Sequence, residues 1–347
     1  MPDDFDFSQS GKRKRNKAEA PDQPLMTQVL CLLCVVITLA YFTSNAAKGT
    51  LWYTVGHFGL VSTEDIWSGR YYGLLSSFFV HLSILHIYFN MTWLWRLGGV
   101  LETTIAPWKY IIFLIGAGIV GSCSELALSG QTGAGASGVV YAIFGLLWAG
   151  RGSFAEWRSV ATRQNLNLFV GWGLLCVVLT YAHIMPIANG AHWGGFAYGL
   201  AVGWIFFAPR RRPIWWLALA GLGAICVMSL FWMPWSWVWN WDQGGRKYEQ
   251  KNYREALRLY ERSLRTGGTV SPLKENIADC WQMIAVEAEA RHDRKAMEEA
   301  LTQAKKFYEE AKTAQVPKEV EPERPPRTED LIEQIRKKAQ KPPADKK

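Results

Sequence analysis

The chain has 347 residues, of which 49% are hydrophobic and 20% are charged, and its mean hydropathy is −0.03. The charges are unevenly distributed, because residues 25–241 carry 10 basic and 5 acidic side chains, whereas residues 242–347 carry 23 and 20. A long segment with so few charges excludes a single soluble domain. It predicts several membrane spans, each of about 20 apolar residues.

The first 24 residues are polar and contain the basic run Lys12–Arg15. Basic residues are enriched at the cytosolic ends of membrane spans, so we predict a cytosolic N-terminal tail. No small-residue cleavage site follows the first apolar run, and we expect no cleavable signal peptide.

Seven apolar runs predict seven spans. They cover residues 25–45, 82–101, 109–128, 135–150, 166–185, 190–208 and 213–235. Residues 48–80 are amphipathic and aromatic, which predicts a loop in the membrane interface. With a cytosolic N-terminus, eight of the 10 basic residues fall at cytosolic ends, and the C-terminal segment becomes extracytoplasmic. The end of the last run is crowded with tryptophans, which is typical of an aromatic belt.

The charged C-terminal segment has helical periodicity. Tyr253, Ala256, Tyr260 and Ser263 follow the spacing of a tetratricopeptide repeat, and a generic helical hairpin is the alternative. The last thirty or so residues are rich in proline and charge, which predicts disorder. The predicted domains are a cytosolic tail (1–24), a six-span core (25–208), a seventh span (209–241), a helical tetratricopeptide-like domain (242–313) and a disordered tail (314–347).

The six cysteines predict neither a disulfide framework nor a zinc site, because five of them lie inside apolar runs. Cys31 and Cys34 have a metal-like spacing, but no second pair completes it. We therefore expect packing roles for the cysteines, and no metal or cofactor.

Polar side chains inside spans are costly and point to function. The first group is His81, His86 and Asn90, at the start of the second span. His86 and Asn90 are four residues apart and share a helix face, so they direct two hydrogen-bond donors to one side. The alternative is that they hold neighbouring helices together by hydrogen bonds.

The second group, Gly135-Ala136-Ser137-Gly138 followed by Tyr141, opens the fourth span. Glycine permits a sharp turn, and a serine at a helix N-terminus has unpaired backbone N–H groups beside it. A nucleophile with an oxyanion hole requires both features. Small residues also serve as packing surfaces between membrane helices, so this group alone is weak support.

The third group is His192, followed by a stripe of Gly195, Gly199 and Gly203 at the start of the sixth span. If the stripe packs on the fourth span, His192 comes level with Ser137. The second, fourth and sixth spans all start on the extracytoplasmic side, so the three groups are expected in one layer below that surface.

These three motifs, in this order and with these intervals, resemble the rhomboid family of intramembrane serine proteases over residues 25–235. The resemblance implies an all-α, polytopic membrane helix bundle with a six-span core, here extended by a seventh span and a helical-hairpin domain. It implies a Ser137 nucleophile and a His192 general base. It also implies oxyanion stabilisation by Asn90 and His86, a Tyr141 ring that orients His192, and structural roles near the site for His81, Gly135, Gly138, Gly195 and Gly199.

By the same resemblance, His81 would hydrogen-bond the loop that precedes it. The implied function is an intramembrane serine endopeptidase that cleaves single-span substrates near the extracytoplasmic face of the cell (inner) membrane. The expected partners are those substrates, the bilayer and a protein bound by the C-terminal domain; nucleic acid is not among them. Glu125, a carboxylate inside the third span, is hypothesised to face a water-containing cavity near the site.

Two other functions stay open. One is a catalytically silent rhomboid-like protein that binds transmembrane helices, and the other is a transporter or metal site built from His81, His86 and His192. A soluble hydrolase with a serine elbow is excluded, because the serine motif starts a membrane span and no βαβ pattern surrounds it.

Overall fold

The computed structural model describes residues 21–43, 58–269 and 271–313. The basic run of the N-terminal tail, residues 44–57 and the charged segment 314–347 lie outside the described residues. Within the described ranges every regular element is a helix. The predicted all-α fold is therefore confirmed.

The helices follow one another along the chain with short connections. They are α1 (Leu25–Thr43), α2 (Thr63–Trp67), α3 (Gly73–Phe79), α4 (Ile84–Glu102), α5 (Pro107–Ser129), α6 (Ser137–Gly150), α7 (Ala155–Val160), α8 (Arg163–Tyr181), α9 (Asn189–Phe207), α10 (Pro209–Phe231), α11 (Trp237–Glu249), α12 (Tyr253–Arg265), α13 (Ser271–Ala290) and α14 (Arg294–Thr313). Helix α4 contains a π-helical turn at Leu94–Gly98.

Seven of these helices, namely α1, α4, α5, α6, α8, α9 and α10, overlap the seven predicted spans, and the protein is a polytopic membrane helix bundle. Among the described helices, α1, α5, α8 and α10 are long and apolar enough to cross a membrane by themselves. Helices α3 and α4, bent by 99° from each other, make a fifth candidate if they count as one span. Helix α6 has only 14 residues, and α9 is rich in glycine.

Helix α6 forms the centre of the membrane unit. Its residues from Gly138 to Leu147 are all buried, so it is surrounded by protein rather than lipid. A helix that is apolar on every face is stable in this central position. Helices α4, α5, α7 and α8 supply further buried members of this core, including Leu97, Phe113 and Phe169, and partly buried side chains of α9 pack against it.

A second hydrophobic core joins the segment around α2 and α3 to the segment between α10 and α11. It combines loop residues, the C-terminal part of α5 and the segment after α10, and its members include Ile66, Trp67, Leu126, Met233 and Val238. The indole Nε1 of Trp67 donates a hydrogen bond to the Ser229 carbonyl at 2.9 Å. The loop is therefore held by α10 and by the start of α11.

The predicted tryptophan belt is divided between the turn that follows α10 and the helix α11. Helix α10 ends at Phe231, and Trp237, Trp239 and Trp241 belong to the separate helix α11. Pro234 lies in the intervening turn, where its missing N–H and fixed φ interrupt a continuous helix. The side chain of Ser236 then caps α11 by accepting the Trp239 N–H at 3.3 Å.

The chain divides between Gly268 and Thr269 into two compact units. Helices α11 and α12 belong to the first unit, so the predicted domain start at residue 242 lies inside that unit. They pack closely: the Ser263 hydroxyl donates to the Trp237 carbonyl at 2.8 Å. In the second unit, α13 and α14 form a hairpin in which the Ser271 hydroxyl donates to the Ala311 carbonyl at 2.8 Å.

Candidate active site

Ser137 is the first residue of α6 and is half-buried. Gly135, two residues earlier, has φ +101°, a conformation in which glycine avoids the strain of other residues. The N-cap residue Ala136 makes no side-chain hydrogen bond to the first turn. The N-terminus of α6 therefore presents backbone N–H groups that no N-cap side chain occupies.

The glycine stripe of α9 packs against the backbone of α6. A Cβ atom added at Gly195 would lie 2.1 Å from the Gly138 carbonyl oxygen, and one added at Gly199 would lie 1.9 Å from the Ala142 carbonyl oxygen. Only a hydrogen atom fits at either position. The stripe therefore brings the two helices into backbone contact, as its spacing predicts.

This contact places His192 beside Ser137. The Nε2 atom of His192 lies 2.7 Å from Ser137 Oγ, and the His192 side chain is only 4% exposed. Its Nδ1 atom has no hydrogen-bond partner among the described residues. No acidic side chain therefore orients the imidazole in the described part of the chain.

The aromatic ring of Tyr141 lies against the imidazole. It stacks on the His192 ring with a centroid distance of 4.6 Å and an interplanar angle of 10°. The hydroxyl of Tyr141 donates to the Phe169 carbonyl on α8 at 2.8 Å, which fixes the ring. The Phe169 carbonyl was not predicted from sequence, because a backbone acceptor has no sequence signature.

His81 and His86 lie against the turn that leads to Ser137. A Cβ at Gly135 would lie 2.6 Å from the His86 ring, so His86 covers that turn. The His81 and His86 rings are 4.9 Å apart. The side-chain amide of Asn90 is buried and donates to the His86 carbonyl at 2.8 Å, within its own helix.

His81 is fully buried and holds the loop before Ser137. The Ala136 N–H donates to His81 Nε2 at 3.3 Å, and the Gly135 N–H donates to the Ser77 carbonyl at 2.9 Å. His81 Nε2 therefore holds the loop before Ser137, and a hydrogen bond between His81 and the loop that precedes it stays a prediction.

A small cavity of about 30 Å³ opens beside Ser137 and is lined largely by glycine and alanine residues. That volume accommodates about one water molecule. Glu125 is not among the lining residues, and the expectation that it faces a water-containing cavity stays a prediction. Its carboxylate accepts the Gly190 N–H at 2.7 Å at the start of α9.

The described residues contain no group of three histidine, cysteine, aspartate or glutamate side chains arranged to hold a metal ion. A metal site built from His81, His86 and His192 therefore has no support in the described structure. The geometry around Ser137 combines a hydroxyl, a histidine base and helix N-terminal donors. Nucleophilic attack on a carbonyl group requires these three elements.

Part of the chain is similar to known proteins. Residues 68–209 match the family model of the Rhomboid domain. The chain is 30% identical over 189 residues to the protein named "Rhomboid protease GlpG" from Salmonella paratyphi A, and equally to those from Salmonella typhi and Salmonella newport. Each alignment covers 54% of this chain and 65% of the relative. These matches support the rhomboid family for the membrane unit.

Proposed function

We propose that this chain is a rhomboid-type intramembrane serine endopeptidase that cleaves membrane-embedded substrates with a Ser137–His192 dyad. The observation that carries the proposal is the 2.7 Å distance between Ser137 Oγ and His192 Nε2, at the N-terminus of a helix in the centre of a membrane bundle. The matches to the Rhomboid domain and to proteins named rhomboid protease support the same reaction class.

The proposed reaction gives each of these groups one role. Ser137 Oγ attacks the scissile carbonyl carbon while its proton passes to His192 Nε2. The negative charge that develops on the carbonyl oxygen is stabilised by the Ser137 backbone N–H and by the side chains of Asn90 and His86. His192 then protonates the leaving amine, and an acyl-enzyme forms. A water molecule that gives its proton to His192 hydrolyses this ester and releases the carboxylic acid.

The length of α6 supports cleavage inside the membrane. A helix of 14 residues is about 21 Å long, whereas the hydrocarbon core is about 30 Å thick. If the C-terminal end of α6 lies at one face, Ser137 lies about 9 Å inside the other. Single-span substrates with an extended or helix-breaking segment near the extracytoplasmic face would expose a peptide bond at that depth.

The same proposal includes the topology. The N-terminus is cytosolic and the C-terminal domain is extracytoplasmic in the cell (inner) membrane, which follows from the distribution of basic residues. The C-terminal tetratricopeptide-like helical domain binds a protein partner. A C-terminal reporter enzyme that is active only in the cytosol should stay silent, and activity would reverse this topology.

The decisive experiment compares the wild type with Ser137→Ala and His192→Ala in two assays. One is cleavage of a single-span model substrate, and the other is covalent labelling by a fluorophosphonate probe. We expect the wild type to cleave and to label, and both variants to lose at least about 1,000-fold in cleavage rate. Ser159→Ala, which removes an exposed hydroxyl on α7, is the matched control and should behave as wild type. A protein that only binds transmembrane helices would neither cleave nor label.

A further inference from the structure

Glu125 is a buried carboxylate, 5% exposed, near the end of α5. Its Oε2 atom accepts the backbone N–H of Gly190, the second residue of α9, at 2.7 Å. The first N–H groups of a helix have no partner within that helix. The N-cap residue Ala188 provides no side-chain acceptor. Glu125 therefore supplies from another helix the cap that α9 lacks.

The contact between these helices is close enough to fix their relative position. A Cβ added at Gly190 would lie 2.5 Å from the Ser124 carbonyl oxygen and 2.6 Å from Glu125 Cα. On the opposite side, a Cβ at Gly138 would lie 3.1 Å from the Ala191 carbonyl oxygen. The first turn of α9 is thus held between α5 and α6.

His192 follows Gly190 by two residues and belongs to the same turn. Its Nδ1 atom has no partner among the described residues, and its ring rests on Tyr141. The position of Nε2 consequently depends on the backbone of this turn. A displacement of about 1 Å in a catalytic group costs on the order of 100-fold in rate.

We propose that Glu125 is a positioning residue for the reaction. By capping α9 it fixes the first turn of that helix, and this keeps His192 Nε2 within hydrogen-bonding distance of Ser137 Oγ. Glu125 touches neither the substrate nor the reacting atoms. The inference rests on the proposed function, and it adds a contribution from α5 to the dyad.

The chain contains a matched control for this role. Glu102 is 1% exposed, and its carboxylate accepts the Met26 N–H at 2.9 Å and the Thr27 N–H at 2.8 Å at the start of α1. The chemistry is the same, but α1 carries no residue of the dyad. Loss of this cap should affect stability without affecting the position of His192.

The experiment uses the full-length protein in detergent micelles and compares Glu125→Gln, Glu125→Leu and Glu102→Leu. The amide of Glu125→Gln still accepts the Gly190 N–H, so we expect kcat within about 3-fold of wild type. Glu125→Leu has no acceptor, and we expect kcat and the fluorophosphonate labelling rate of Ser137 to fall together by about 10- to 100-fold, with KM within about 2-fold. For Glu102→Leu we expect a lower Tm and an unchanged kcat per folded molecule.

Each outcome has one meaning. If Glu125→Leu labels at the wild-type rate, or if Glu102→Leu lowers kcat by the same factor, the positioning role is wrong. If the wild type itself is not labelled, the proposed function fails instead. Should Glu125→Leu not fold, Glu125→Asp replaces it: its shorter side chain withdraws the acceptor, and an unchanged kcat would overturn the inference.

Discussion

The substitution Gly199→Ala would show how strongly the separation of α6 and α9 controls the distance between Ser137 and His192. Gly199 lies two turns after His192, away from the reacting atoms. A Cβ introduced by Gly199→Ala would lie 1.9 Å from the Ala142 carbonyl oxygen and 2.8 Å from its carbonyl carbon. Both are backbone atoms of α6 and cannot rotate away. Because Cβ contacts below 3.0 Å essentially never occur, α9 has to move outward by about 1.1 Å.

The magnitude follows from the geometry. If the helix moves as a rigid body, the distance between Ser137 Oγ and His192 Nε2 grows from 2.7 Å to about 3.8 Å, outside the hydrogen-bonding range. We therefore expect kcat to fall by about 100-fold. The free energy of unfolding should fall by about 1–3 kcal/mol, as for other overpacked interiors.

Cleavage of a single-span substrate and a thermal melt in the same detergent measure the two effects. Gly171→Ala on α8 is the control, because nothing lies within 4 Å of a Cβ at that position, and it should keep the wild-type kcat. A Gly199→Ala protein with wild-type kcat and Tm would show that the helices adjust without moving the dyad, and the reasoning would fail.

The Tyr141→Phe variant keeps the ring stacked on His192 but loses the 2.8 Å hydrogen bond to the Phe169 carbonyl. Its kcat should therefore stay within about 3-fold of wild type, and its free energy of unfolding should fall by about 1 kcal/mol. Tyr141→Ala should lower kcat more than 10-fold, and equal rates for the two variants would refute the orienting role. In the second unit, burial raises the pKa of the Cys280 thiol, so the reactive thiolate forms in the folded hairpin only at a higher pH than in the unfolded chain. Maleimide labelling of Cys280 at pH 8, followed by mass spectrometry, should therefore be slow without urea and fast with it, and equal rates would contradict the burial.

Periodicity explains why much of the site could be predicted. Glycines at every fourth position of α9 leave a bare face, and a bare face in a membrane protein is covered by another helix. The start of α6 supplies the matching Gly138, and the predicted order of spans starts both helices on the same side of the membrane. These two features together predict that Ser137 and His192 lie at the same depth in the membrane, and the prediction needs no side-chain geometry.

The unpredicted contacts mostly involve the polypeptide backbone. The partner of the Glu125 carboxylate is the N–H of Gly190, 65 positions further along the chain. His81 pairs in the same way with the Ala136 N–H. Every residue except proline has such an N–H, so the sequence contains no mark of the one that is used. Only the rotation of α5 against α9 decides the pairing.

The tryptophans after α10 show what amino-acid composition alone does not predict. Their composition is typical of an interface belt, and that expectation treats them as one group. A single turn around Pro234 and the Ser236 cap separates them, and Trp237 and Trp239 pack on the second core, which contains Trp67. Composition predicts the environment of such residues better than it predicts their helix.

The second core also decides which parts of this protein can be separated. Removing everything after residue 208 would strip the Ser229 carbonyl from the Trp67 indole and take Met233 and Val238 out of a buried cluster. The hydroxyl of Ser68 would lose the Arg246 guanidinium that donates to it at 2.9 Å. The part of this chain up to residue 208 is therefore not a detachable module, and a shortened version would need a new covering for the loop that α10 and α11 now protect.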